Sequence, residues 1–116
     1  LEDGYELRAR FSNIGGLREG AGVNIAGVPV GMVEKVELEG YAAMVTLRLR
    51  SGVKLPTGTI ASIRTHGLIG GQYIHLSPGA GEEDLQPGER IQQTQPAVNL
   101  QELISKYAFG DVESDL

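Results

Sequence analysis

Few residues in this chain have types and spacing that could do chemistry. His66 and His75 are the only two histidines in 116 residues, and they flank the run Gly67-Leu68-Ile69-Gly70-Gly71. Imidazole suits acid–base work or metal ligation. A metal site needs at least one more convergent ligand, and none follows at a suitable spacing. One histidine at a loop mouth and one on a strand surface is the plainer reading. Glu82-Glu83-Asp84 is a dense acidic cluster, but it lacks the alternating ligand spacing of an EF-hand calcium loop and reads as solvated. There is no cysteine, which removes disulfides, thiolate nucleophiles and Cys-based metal sites. No Walker A, G-x-S-x-G or H-E-x-x-H sequence is present. Gly20-Ala21-Gly22 opens a G-x-G, but Ile25 stands where a dinucleotide fingerprint needs its third glycine. The expectation is a protein that is not an enzyme, with no cofactor and no metal.

The residues that call for an explanation are apolar. Leu68 and Ile69 are adjacent aliphatics between Gly67 on one side and Gly70 and Gly71 on the other. In a strand, neighbours point to opposite faces, so one alone could enter the core. In a turn both can point outwards, forgoing roughly 1.5–3 kcal/mol each. Either they tuck back over their own domain, or they meet a partner or line a pore. The three glycines would then act as hinges of this tip.

The elements that must position the tip are strands. Tyr5, Leu7, Ala9 and Phe11 alternate with Glu6, Arg8 and Arg10, the pattern of a half-buried strand. Residues 23–28 and 30–39 read as two more, with Pro29 between them and Gly31 marking a bulge or close approach. Residues 42–50 alternate again after a Gly40-Tyr41 turn. Residues 59–65 and 72–77 flank the tip, 78–89 form a Pro/Gly/acid loop, and 90–94 form a last short strand. Leu100, Leu103, Ile104 and Tyr107 recur at helical spacing, with Pro96 before them and Gly110 after. A helix this short is not stable alone in water, so its apolar face must pack on the barrel or on other copies. About seven short strands at this spacing indicate an all-β barrel or sandwich. The expected organisation is a β domain over 1–95, a C-terminal amphipathic helix over 96–110 and a flexible acidic tail over 111–116.

Composition agrees. Seventeen glycines and few aromatics suit many tight turns between short strands, and one domain accounts for the length. The net charge is −5, and the clustered Lys and Arg that phosphate contacts require are missing, so nucleic acid is disfavoured. Residues 1–81 carry eight basic against seven acidic residues, whereas 82–116 carry two against eight. No stretch approaches the ~20 apolar residues of a membrane helix. The chain opens at Leu1 inside polar sequence, as a cut-down piece would.

Five segments, in order, carry a resemblance to a known family. They are Phe11-Ser12-Asn13-Ile14-Gly15-Gly16-Leu17; Val23-Asn24-Ile25-Ala26-Gly27-Val28-Pro29-Val30-Gly31-Met32-Val33; Ile63-Arg64-Thr65-His66-Gly67-Leu68-Ile69-Gly70-Gly71-Gln72-Tyr73-Ile74; Gly88-Glu89-Arg90-Ile91-Gln92-Gln93-Thr94; and Leu100-Gln101-Glu102-Leu103-Ile104. Together the chain resembles the MCE (mammalian cell entry) domain family, closest to the ring subunits of bacterial phospholipid-transport systems. The resemblance covers about residues 5–110.

That resemblance implies a small seven-stranded β-barrel of MCE fold and a homo-hexameric ring. Leu68 and Ile69 would line its central channel and contact phospholipid. The family's Gly-Leu-Leu-Gly tip is Gly67-Leu68-Ile69-Gly70 here. The C-terminal helix, with Leu100, Leu103, Ile104 and Tyr107, would lie near the channel. Implied partners are phospholipid, an ABC permease and ATPase, and a soluble periplasmic lipid carrier. The implied location is the periplasmic side of the bacterial inner membrane, reached through an N-terminal transmembrane helix absent from these residues. Two other readings stay open: a monomeric barrel holding lipid in its interior, and a cell-surface adhesion module.

Overall fold

A computed structural model describes residues 4–98 and 103–106. Its strands are β1 (Tyr5–Phe11), β2 (Gly22–Ile25), β3 (Val28–Glu39), β4 (Ala42–Leu49), β5 (Ile60–Thr65), β6 (Gln72–Ser77), β7 (Arg90–Ile91) and β8 (Gln93–Gln95). The sheet runs β7-β1-β4-β3-β2-β6-β5-β8. Its two outer strands, β7 and β8, are separated by Gln92 alone, so the last expected strand is one strand bent at Gln92. Its first half pairs parallel with β1 and its second half parallel with β5. The Thr94 hydroxyl donates to the Arg10 carbonyl at 2.7 Å across the seam. Bending one strand across both edges all but closes the sheet into a barrel and removes edges that would otherwise invite pairing with another chain.

The alternation in β1 behaves as its sequence requires. Leu7, Ala9 and Phe11 are fully buried, while Arg8 and Arg10 are exposed. Val23, Val33, Val45, Leu47, Leu49, Ala61, Ile63, Ile74, Leu76 and Ile91 fill the same interior. A barrel of this size has room for its own side chains and little more. On the outer face, Arg48 of β4 reaches Glu6 of β1 at 3.4 Å and Glu34 of β3 at 3.1 Å, bridging three strands.

One boundary differs from expectation. Pro29 lies inside β3, opposite Asn24. It is tolerated because β4 reaches only as far as Gly31, which leaves Pro29 with one neighbouring strand. The turn is instead Ala26-Gly27, with φ of 53° and 81°, the two-positive-φ geometry that suits the twist of a hairpin. Gly31 is a close approach: a Cβ there would lie 2.2 Å from the Arg48 carbonyl oxygen. The bulges fall beside it, at Val23/Asn24 and Val33/Lys35. The loop over 78–89 is strapped down by its backbone. Thr57 donates to Glu83, Gly81 to Thr57 and Leu85 to Leu55, and Leu85 joins the core. The acidic side chains of 82–84 remain exposed.

Candidate functional site: an apolar tip at one end of the barrel

Strand direction gathers several turns at one end. Thr65 pairs with Gln72, and antiparallel β5 and β6 are joined there by residues 66–71. β2 runs parallel to β6, with Val23 opposite Ile74. β3 is antiparallel to β2, and β1 is antiparallel to β4. The tip at 66–71, the turn after Phe11, the β3–β4 turn at Gly40-Tyr41 and the exit of β8 after Gln95 therefore share one end. Leu68, Ile69, Leu38, Tyr41 and Val98, all large apolar side chains left exposed, lie at or beside it.

The tip is a hydrogen-bonded turn. His66 N–H donates to Gly71 at 2.9 Å, and Gly70 N–H donates back to His66 at 2.9 Å. Gly67 has φ +66°, and a Cβ on Gly70 would lie 2.2 Å from the His66 carbonyl oxygen. Both positions require glycine for a tight, fixed closure. Gly71 has open space around it. The His66 ring stacks on Tyr73 with centroids 4.2 Å apart, which stiffens the base. Leu68 and Ile69 are 78% and 98% exposed. Within this chain they do not tuck back over the barrel; the turn holds both outwards.

The other sequence candidates do not join them. His75 sits within β6, between Asn24 and Ser62. Its burial, and secondarily the Arg64 charge, lower its pKa and favour the neutral imidazole. Among the described residues no three metal-ligating side chains converge. Two surface hollows, one of about 530 Å³ beside Arg48 and Arg50 and one of about 250 Å³ beside Tyr5 and Asp84, touch no residue of the tip.

Residues 103–106 are helical and exposed, with Leu103 at 40% and Ile104 at 60%. At these positions the apolar stripe is not covered by its own barrel. Leu100 and Tyr107 fall outside the described residues. Residues 96–98, expected to begin the helix, are not helical. Pro96 has no N–H, and Ala97 N–H is taken by the Asn13 carbonyl at 3.0 Å, which holds this stretch against the barrel end.

Sequence reasoning missed what supports the tip. Gly16 N–H donates to Gln72 Oε1, and Gly15 N–H to Asn13 Oδ1. Asparagine is a residue type that forms turns. Gln72, a polar residue opening a strand, carries no pattern that announces a contact across 56 residues.

The profile of the family described as "MlaD protein" matches residues 3–79. The chain is 36% identical to the intermembrane phospholipid transport system binding protein MlaD of Haemophilus influenzae, over 96% of this chain and 70% of that one. It is 38% identical to the protein of the same name from Escherichia coli K12, over 98% of this chain and 67% of that one. A chain of the Acinetobacter MlaFEDB complex in an ATP-bound conformation superposes with a TM-score of 0.84 at 24% identity, covering 90% of this chain and 81% of that chain.

Proposed function

Because this chain belongs to the MlaD family, we propose that it is a passive conduit for phospholipid, with Leu68 and Ile69 as the surface that the acyl chains touch. The observation that carries this is the outward display, on a hydrogen-bonded turn, of two aliphatic side chains that none of the described residues covers. Relatives at 36–38% identity are named as binding proteins of an intermembrane phospholipid transport system.

The physical need is large. Passing a phospholipid through water exposes roughly thirty methylenes at ~0.8 kcal/mol each, on the order of 25 kcal/mol. A barrier of that height allows only about 10⁻⁶ events per second. A continuous apolar passage removes most of it. Aliphatic contacts are non-directional, so they accept varied tails, and the tip offers no charge to trap a headgroup.

One copy cannot enclose a lipid. The interior is packed with side chains, which argues against a monomer carrying lipid inside its barrel. Six copies in a ring would turn the tips towards one axis and make a collar of them. The exposed Leu103 and Ile104 would be covered by helices of neighbouring copies. Energy would come from an ABC permease and ATPase in the same complex, on the periplasmic side of the inner membrane, with a soluble carrier receiving or delivering lipid. The protein itself would bind and guide without catalysing.

Photo-crosslinking tests the collar directly. A benzophenone amino acid at position 69 should capture phospholipid, detected by mass spectrometry of the adduct, while the same probe at Val28, exposed at the opposite end of the barrel, should not. Equal capture at both positions would defeat the assignment.

A further inference from the structure

The tip does not stand alone at its end of the barrel. Gln72 is the first residue of β6, immediately after the tip, and pairs with Thr65. Its Oε1 accepts the Gly16 N–H at 2.5 Å. The turn that it grips is tightened by the Asn13 side chain, which accepts Gly15 N–H at 2.8 Å. On its other side the same turn receives Ala97 N–H through the Asn13 carbonyl at 3.0 Å. Gly15, with φ +59°, fits between the two grips: a Cβ there would lie 2.9 Å from both the Ala97 Cβ and Gln72 Oε1. Three segments far apart in sequence therefore meet at one point. They are the base of the apolar tip, the turn after β1, and the chain leaving the barrel towards residues 103–106.

We propose that Gln72 is a positioning residue: acting through the Asn13–Gly16 turn, its carboxamide holds the Leu68–Ile69 tip and the chain departing at Ala97 in one fixed relation. This rests on the conduit reading for its purpose but not for its geometry. The bond to Gly16 is exposed, so water replaces it readily and its net contribution to stability is small. What water cannot replace is the direction. A loop base bonded to a neighbouring turn moves with that turn, and a base bonded to water does not. The tip is closed within itself, so its remaining freedom is to swing as a body about Thr65 and Gln72, and the Gln72 side chain restrains that motion. A collar of copies needs this restraint in every subunit, because one displaced tip opens the ring.

The chain contains no cysteine, so two can be introduced without background. Spin labels at Ile69→Cys and Val98→Cys, both exposed positions, report the distance between tip and departing chain. Labelled chains are diluted into unlabelled ones so that only distances within one chain are read. The parent should give a narrow distribution. Gln72→Ala should broaden it beyond the label's own rotamer spread. Gln72→Glu, which keeps an acceptor oxygen at the same reach, should restore the narrow form. Melting followed by circular dichroism checks each fold, and Gln72→Met replaces Gln72→Ala if the latter melts below the measuring temperature. A distribution as narrow as the parent's without the acceptor, or one as broad in Gln72→Glu as in Gln72→Ala, overturns the assignment. These distances are read without lipid, so their failure is separate from a failure of the conduit reading, which the capture of phospholipid at position 69 decides.

Discussion

Replacing Leu68 and Ile69 together by asparagine separates folding from passage. Full burial of such a side chain contributes about 1.5–3 kcal/mol. Leu68 is 78% exposed and Ile69 98%, so roughly a fifth of one side chain's contribution, ~0.5 kcal/mol, is at stake in the isolated chain. That corresponds to a fall in Tm of about 2–4 °C. Passage should respond far more. If two or three methylenes of a passing tail lose their apolar partners at the collar, ~2 kcal/mol is added to the barrier, which is about thirtyfold in rate. The assay is transfer of a fluorescent phospholipid out of vesicles holding the complete transport complex, with assembly checked by native mass spectrometry. A folded, assembled double variant that transfers lipid within about twofold of the parent would refute the collar, since that leaves under ~0.4 kcal/mol for these side chains. A fall in Tm beyond about 10 °C would refute the outward display, because it requires burial that the exposed tip does not have.

Four more substitutions test the local geometry. Gly70→Ala should lower unfolding stability in urea by about 1–2 kcal/mol, because its Cβ would lie 2.2 Å from the His66 carbonyl oxygen. Gly71→Ala, with open space, should change it by less than about 0.5 kcal/mol. Ala26, at φ 53° beside Gly27, should be improved by asparagine, raising stability by roughly 0.5–1 kcal/mol in the same titration. His75 has its pKa lowered by burial and by Arg64. The unfolded chain therefore takes up its proton first as pH falls, so stability is full above about pH 6.5 and declines below it towards the folded pKa. Chemical denaturation of His75→Gln between pH 7.5 and 5 should show a shallower decline than the parent, and an equal slope would place the titration elsewhere.

Much of the fold was legible because the side-chain period of a strand is two. Leu7, Ala9 and Phe11 had to share a face wherever their strand lay, and Val45, Leu47 and Leu49 of β4 had to do the same. The seam was not legible. Gln92 looks like any residue of a short polar strand, yet the chain bends there so that Arg90–Ile91 serves β1 and Gln93–Gln95 serves β5. Which edge a strand joins depends on where both edges arrive in space. Pro29 was misplaced for a related reason: the pattern shows that a ladder hydrogen bond is missing, but only the length of β4 shows that none was needed.

The same division runs through the candidate site. The amino-acid sequence alone determined that chemistry is scarce, that two adjacent aliphatics sit among glycines at a strand junction, and that one of them at least could not be buried in a strand. Those conclusions follow from residue type and from the geometry of one or two residues, which are local. Tertiary structure decided that both point outwards, that Gly67 and Gly70 lock the turn while Gly71 has room for a side chain, and that Gln72 and Ala97 converge on the turn at Asn13. These depend on segments separated by tens of residues reaching the same end of a barrel. No local propensity encodes that meeting; closure of the sheet produces it.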